Sequence, residues 1–366
     1  MLKQKRYTKQ QEIVVESGIE FTYDMLQLSP NSPRREYYRR KAEGEIKTMV
    51  HWGQRKLLIS ELEFLIFFWN PQEIPHPVIV YAGAARGDHI PLILKLFPSI
   101  DSLHLYDPAP FVLKETDKIH IYNQLFTIEE AKKWSERDDV FFISDIRTGD
   151  YKIMTSEQNN FSILQDMELQ RQCVEIMNPV QSHLKFRLPY SDSDPNYLKL
   201  IYFDANVLLQ PWAPYTSTET RLVPIKDQDS GKYKKKVWDA IAYEEQLFYH
   251  NTVLRSNQLF LNPLIYPSKI KPIDPPELNN DYDSVAEVFI LKSYFEKFGI
   301  QPTSSDICKL SKWITSELNN YTKYEKSIDI LRKKSIELQH KEIIKERHNR
   351  ANKHKRKKNK SRKKVR

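Results

Sequence analysis

The sequence predicts an α/β fold: a mostly parallel sheet with helices on both faces and an antiparallel strand at one edge. Three observations carry that prediction. Short apolar runs alternate with helical stretches between residues 78 and 188, the pattern of parallel strands joined by crossover helices. The first apolar run, VIVYA, opens onto a turn containing Gly83 and Gly87 and then a helical stretch. Beyond residue 182 the strand-like segments crowd together, which suits an antiparallel edge.

Residues 1–45, with the run SPNSPRREYYRR, read as an irregular N-terminal arm. Leu57, Leu58, Leu62, Leu65, Ile66 and Trp69 are spaced for an amphipathic helix over 52–70, stopped at Asn70-Pro71. Val78–Ala82 reads as a strand, with helix-like residues continuing to Leu96. Strands follow at 103–106, ending before Asp107, and near 119–122. A helix is predicted over 127–135, then an apolar strand over 140–144 that runs into Asp145. A long helix over 158–177 is closed by Asn178-Pro179. Strands are predicted over 182–188, 198–204 and 220–224, with a loop or hairpin over 225–236. A Pro-rich connection spans 267–283, and helices are predicted near 284–298 and 304–345. The chain therefore divides into an arm (1–45), a domain with C-terminal helices (46–345) and a tail (346–366).

Charge is unevenly spread. Fourteen Lys/Arg against two Glu lie between Lys341 and Arg366, a net of +12 in a chain of net +9, so the remainder carries −3. The run KHKRKKNKSRKKVR has almost nothing to pack, so it is expected to stay disordered. It reads as an arm for polyanions, chiefly RNA, or as a solvated tail or localisation signal. The two cysteines, Cys173 and Cys308, are too far apart for a zinc knuckle and too few for a disulfide framework. A reducing, intracellular setting is the simplest reading. No apolar run approaches the length of a membrane span, and MLKQKRYTKQ has no signal-peptide character.

Six segments carry candidate chemistry. In VIVYAGAARGDHI, Gly83 lets a ligand approach the backbone at the carboxyl edge of the first strand. The spacing is not that of a dinucleotide site, and a plain structural turn explains it equally well. Asp107 ends the next strand, where an acid can accept hydrogen bonds from two ribose hydroxyls; before Pro108 it can also simply cap a turn. In FFISDIR, Asp145 ends a central strand and Arg147 follows, again with a capping alternative. In HLKFRLPY, Lys185 lies between Leu184 and Phe186 inside a strand; it is either a buried, carboxylate-paired amine or an edge lysine facing water. Glu219 opens the strand after LLQPWAPYTST, and Lys56 sits on the opening turn of the first helix. Either of these, taken alone, reads as an exposed polar residue.

Taken in order, GQRKLLISEL, VIVYAGAARGDHI, FFISDIR, NPVQSHLKFRLPY, LLQPWAPYTSTETRL and DAIAYEEQLFYHN resemble the poxvirus family of cap-specific mRNA 2′-O-methyltransferases. Members of that family also serve as the small subunit of the viral poly(A) polymerase. The resemblance spans residues 50 to 250 and implies a Rossmann-like, S-adenosylmethionine-dependent methyltransferase fold. It implies a catalytic tetrad of Lys56, Asp145, Lys185 and Glu219, in which Lys185 directs or deprotonates a ribose 2′-hydroxyl. It implies cofactor contacts at Tyr81, Gly83, Gly87, Asp107, Tyr122 and Arg147, and cap contacts at Tyr190, Asp192, Tyr215 and Glu244. The implied partners are capped RNA and a poly(A) polymerase catalytic subunit, with no metal and no membrane, in the cytoplasm or virion of a large DNA virus. There are departures. The glycine turn reads AARG where the family has APG, Ala109 stands where the family has Arg, and Tyr215 is one residue out of step, with Thr216 in the family's Tyr position. Tyr23, Tyr37 and Tyr38 are alternative candidates for the N-terminal cap-contacting aromatic.

Overall fold

The computed structural model describes residues 18–36, 50–149, 153–190, 194–214, 217–255, 257–262, 264, 278 and 280–321. Seven strands form the main sheet: β1 (Val78–Ala82), β2 (Ser102–Tyr106), β3 (Ile119–Tyr122), β4 (Val140–Ser144), β5 (Gln181–Phe186), β7 (Ala205–Leu208) and β8 (Thr220–Pro224). Their order is β3-β2-β1-β4-β5-β8-β7. The first five are parallel, whereas β8 pairs antiparallel with both β5 and β7. The reversed strand thus lies one place in from the edge, and β7 is the edge itself.

The fold agrees with the Rossmann-like prediction, and β1 and β4 are buried along their whole length, as expected of strands covered on both faces. The chain reverses its winding between β1 and β4, and their carboxyl ends form the crevice where such sheets bind ligands. Helix α4 (Ser156–Met177) starts in a capping box made by Thr155 and Gln158 and ends at Asn178 in the left-handed region.

Helix α1 (Val50–Phe68) departs from its amphipathic reading. Every residue from Leu58 to Ile66 is buried, because α1 lies between the sheet and two later helices, α6 (Tyr282–Lys297) and α7 (Ser304–Tyr321). Leu58, Leu62 and Leu65 are fully buried, each contributing about 1.5–3 kcal/mol of transfer free energy. Ser60 Oγ and His183 Nε2, 3.1 Å apart, tie α1 to β5. Two short helices, α2 (Ile90–Leu96) and α3 (Ile128–Lys133), complete the layers.

Three further differences arise from tertiary contacts. The strand expected over 198–204 is β6 (Lys199–Phe203), and the chain turns at Asp204 into a further strand, β7, that was not predicted. Strand β6 pairs with β9 (Lys235–Asp239) in a separate two-stranded ribbon. Within the stretch 225–236 Lys226 bridges antiparallel to Tyr233, which makes it a hairpin. Helix α5 (Ala240–Tyr249) follows at once, capped by Asp239. Of the N-terminal arm, residues 18–36 pack onto the body: Phe21, Leu26 and Leu28 are buried, and Leu28 N donates to Val207 O at 2.8 Å. The basic tail, and any extension of α7 towards residue 345, lie outside the described residues.

Candidate active site

The four predicted tetrad residues converge at the carboxyl edge of β4 and β5. Lys185 Nζ lies 3.2 Å from Asp145 Oδ1 and 3.5 Å from Glu219 Oε2. Lys56 Nζ donates to Glu219 Oε1 at 2.9 Å. Each comes from a different element: α1, the end of β4, β5, and the start of β8. Side-chain exposures of 12–19% leave all four reachable from solvent.

A fifth member was not anticipated. Arg221 is 1% exposed, and its Nη2 lies 2.6 Å from Asp145 Oδ1 and 3.5 Å from Glu219 Oε1. It stands directly opposite Lys185 in the β5–β8 register. Two cations face to face across a ladder repel, so the two carboxylates between them are required by electrostatics as well as by chemistry. Gln210 Oε1 accepts from Arg221 Nε at 3.3 Å. The sequence predicts the strand over 220–224 but does not single out Arg221; the neighbouring end of β4 is what makes its face an interior one.

Burial pushes the Asp145 carboxyl up, but Lys185 and Arg221 outweigh it and hold its pKa at about 2. Glu219 behaves likewise: burial raises it, and Lys185, Lys56 and Arg221 carry it well below the usual carboxylate range. Both groups are therefore anionic at neutral pH. The result is an amine held between two fixed carboxylates at a sheet edge, an arrangement able to hold and orient a hydroxyl group.

On the cofactor side, Gly83 follows β1 with φ +79°, and an added Cβ would lie 2.7 Å from the carbonyl carbon of Asp145. The glycine is there because the β4 backbone passes too close for a side chain. Asp107 accepts from Ala85 N at 3.0 Å and from Ala109 N at 2.8 Å. Both capping and ligand roles remain open to it, because a carboxylate has lone pairs beyond two hydrogen bonds. Tyr122 stacks on Tyr106 with centroids 4.4 Å apart, and its hydroxyl meets His104 Nδ1 at 3.1 Å. Gly87, at φ +83°, faces Leu113. A carboxylate, a turn with glycine at each end and stacked rings fit a nucleoside.

Two details differ from expectation. Helix α2 begins only at Ile90, and Ile90 N and Leu92 N bond within the turn, so fewer free amides point outward. The Tyr81 hydroxyl is turned into the interior and donates to Glu61 Oε1 at 2.7 Å. Arg147 lies 3.6 Å from Asp166 on α4, and Asp166 also accepts from Thr148 N and Oγ1.

The cap-side candidates are less united. Tyr190 is half-buried, with the Arg187 guanidinium 3.9 Å over its ring. Glu244 is 2% exposed on α5. Asp192, Tyr215, Tyr37 and Tyr38 lie outside the described residues. Tyr23 packs its ring 4.2 Å from that of Phe67, which makes it part of the arm's anchorage.

Comparison with known proteins adds an independent line. The model of the family described as "Poly A polymerase regulatory subunit" matches residues 25–321. A protein of Myxoma virus (strain Lausanne), named a cap-specific mRNA (nucleoside-2′-O-)-methyltransferase, is 30% identical over 236 residues, 59% of this chain. The chain spans 65% of that relative's length. A Fowlpox virus (strain NVSL) protein of the same name is 30% identical over 272 residues, covering 70% of this chain and 81% of its own length.

Proposed function

Because the chain belongs to the poly(A) polymerase regulatory subunit family, we propose that it methylates the ribose 2′-hydroxyl of the first transcribed nucleotide of capped RNA, with S-adenosylmethionine as donor. The observation that carries this reading is the convergence of Lys56, Asp145, Lys185 and Glu219, from four separate elements, within 3.5 Å contacts. The names of the Myxoma and Fowlpox relatives support the same reaction.

S-adenosylmethionine, when bound, supplies a methyl group already activated by a sulfonium, so the reaction calls for no metal. Gly83, Asp107, Tyr122 and the turn between them are the residues that would hold it. The work left to this chain is orientation. Lys185, fixed by Asp145 and Glu219, holds the 2′-hydroxyl in line. The hydroxyl proton would leave through the Asp145–Lys185–Glu219 cluster as the oxygen–methyl bond replaces the sulfur–methyl bond. Lys56 and Arg221 keep both carboxylates in place. Orientation of this kind contributes on the order of 7–11 kcal/mol to a barrier. Lys185→Ala is expected to abolish transfer and to leave cofactor affinity, read by calorimetry, within about twofold. Wild-type-like transfer by that variant would overturn the assignment.

The family match also favours a second role, as the regulatory partner of a poly(A) polymerase catalytic subunit. The two roles are compatible. Co-purification with such a subunit, and loss of tail extension when the pair is separated, would support it; failure to associate would count against it.

A further inference from the structure

Two acidic residues one turn apart on α6, Asp283 and Glu287, are 5% and 0% exposed. Each grips a buried arginine from another element. Arg255 places Nε 3.0 Å from Asp283 Oδ1 and Nη2 2.7 Å from Oδ2. Arg55 places Nε 2.9 Å from Glu287 Oε2 and Nη2 2.5 Å from Oε1. Both grips extend to the segment that leads into Glu219. Arg255 Nη2 donates to Ala213 O at 2.6 Å, and Trp212 Nε1 donates to Glu287 Oε2 at 2.7 Å. Arg55 immediately precedes Lys56 on α1. The contacts therefore close a ring through described residues: Lys56, Arg55, Glu287, Trp212, then Gln210 two residues before it, whose Nε2 donates to Glu219 O at 3.3 Å, and back to Lys56 through its 2.9 Å hydrogen bond with Glu219.

The geometry points to Glu287 as the positioning residue of the Lys56–Glu219 pair. Its catalytic consequence rests on the methyl-transfer reading above. One carboxylate receives four donors, from Arg55 twice, Trp212, and Ser311 Oγ at 2.8 Å. Apolar side chains of equal volume would hold α1 against α6 about as well. They would not fix the direction of α1's first turns and of the Trp212 segment together, which charge-assisted, directional bonds do. Among the described residues no hydrogen bond or ion pair joins Glu219 or Lys56 to α6; the ring transmits its placement to both.

The test reads Lys56 directly. Glu287→Gln and Trp212→Phe, in the full chain, are treated with an amine-acylating ester, and modification at Lys56 is followed by mass spectrometry against the exposed Lys199. Thermal unfolding and methyl transfer are measured alongside. In Glu287→Gln the Lys56 acylation rate is expected to rise severalfold. The kcat is expected to fall roughly tenfold while KM for capped RNA stays within about twofold. Trp212→Phe removes one bond of the ring and shifts both readouts the same way by less. Unchanged labelling and kcat, with only a lower unfolding temperature, would overturn the proposal. If Glu287→Gln does not fold, unchanged labelling in Trp212→Phe overturns it alone. If the wild type transfers no methyl, the functional reading fails, while the labelling still decides the positioning role.

Discussion

Gly83 and Asp145 show how closely the candidate cofactor turn and the candidate tetrad are joined at the residue scale. The β4 backbone lies where a Gly83 side chain would stand, so Gly83→Ala must push Asp145 away from Lys185 and Arg221. The variant is expected to lose about 1–3 kcal/mol of stability from strain, seen in urea unfolding, and to lose kcat as well as cofactor affinity. Loss of affinity alone would mean that Asp145 had not moved. The Asp145 pKa of about 2 gives a second expectation. Its folded pKa is depressed, so between about pH 4 and pH 2 the unfolded chain binds more protons than the native state. The stabilisation, on the order of 2 kcal/mol, is complete above about pH 4 and lost as pH falls through 2. The stability gap between wild type and Asp145→Asn is therefore expected to stay level from pH 5 to 8 and to shrink below 4. A gap that changes near neutrality would contradict the charge assignment. The strands that carry Lys185 and Asp145 were legible in the sequence because apolar neighbours marked them, but an edge lysine and a capping Asp read as readily there without the resemblance. Lys56 and Glu219 were legible only through the resemblance, and Arg221 was not legible at all, since its burial depends on a strand about 75 residues earlier.

At the scale of elements, β1 to β4 matched their predicted bounds closely, because buried parallel strands write continuous apolar runs into the sequence. Helix α1 was misread for the opposite reason: its second buried face is covered by α6 and α7, more than 200 residues away, and no local pattern announces them. Strand β7 was missed and the ribbon of β6 and β9 was not legible, because β6 bends away from β7 at Asp204 and its partner comes only after β7 and β8 in the chain. Buried ion pairs hold these late contacts. Removing one partner, as in Arg255→Ala, leaves Asp283 buried beside no guanidinium and is expected to cost about 3–5 kcal/mol in denaturant unfolding. Replacing both, as in Arg255→Met with Asp283→Leu, is expected to recover most of that. A double variant as unstable as the single would mean that the pair, not its desolvated remainder, sets the cost.

For the whole molecule, charge is divided between a near-neutral body and a basic C-terminus that the sequence offers as an arm for RNA. Deleting residues 346–366 is expected to lower RNA affinity and to flatten its salt dependence, each lost phosphate contact removing about 0.7–0.9 from the log–log slope. An unchanged slope would assign the tail to another task. The cap side is the part least visible from either direction, because Asp192 and Tyr215 lie outside the described residues. The most direct measurement is methyl transfer from radiolabelled S-adenosylmethionine to short RNAs that differ only in the 5′ cap, with the modified ribose position identified by nuclease digestion. The account predicts 2′-O-methylation of the first transcribed nucleotide on the capped RNA, little on the uncapped one, and none with Lys185→Ala. Equal transfer to both RNAs would contradict the cap assignment, and absence of transfer to either would contradict the central claim.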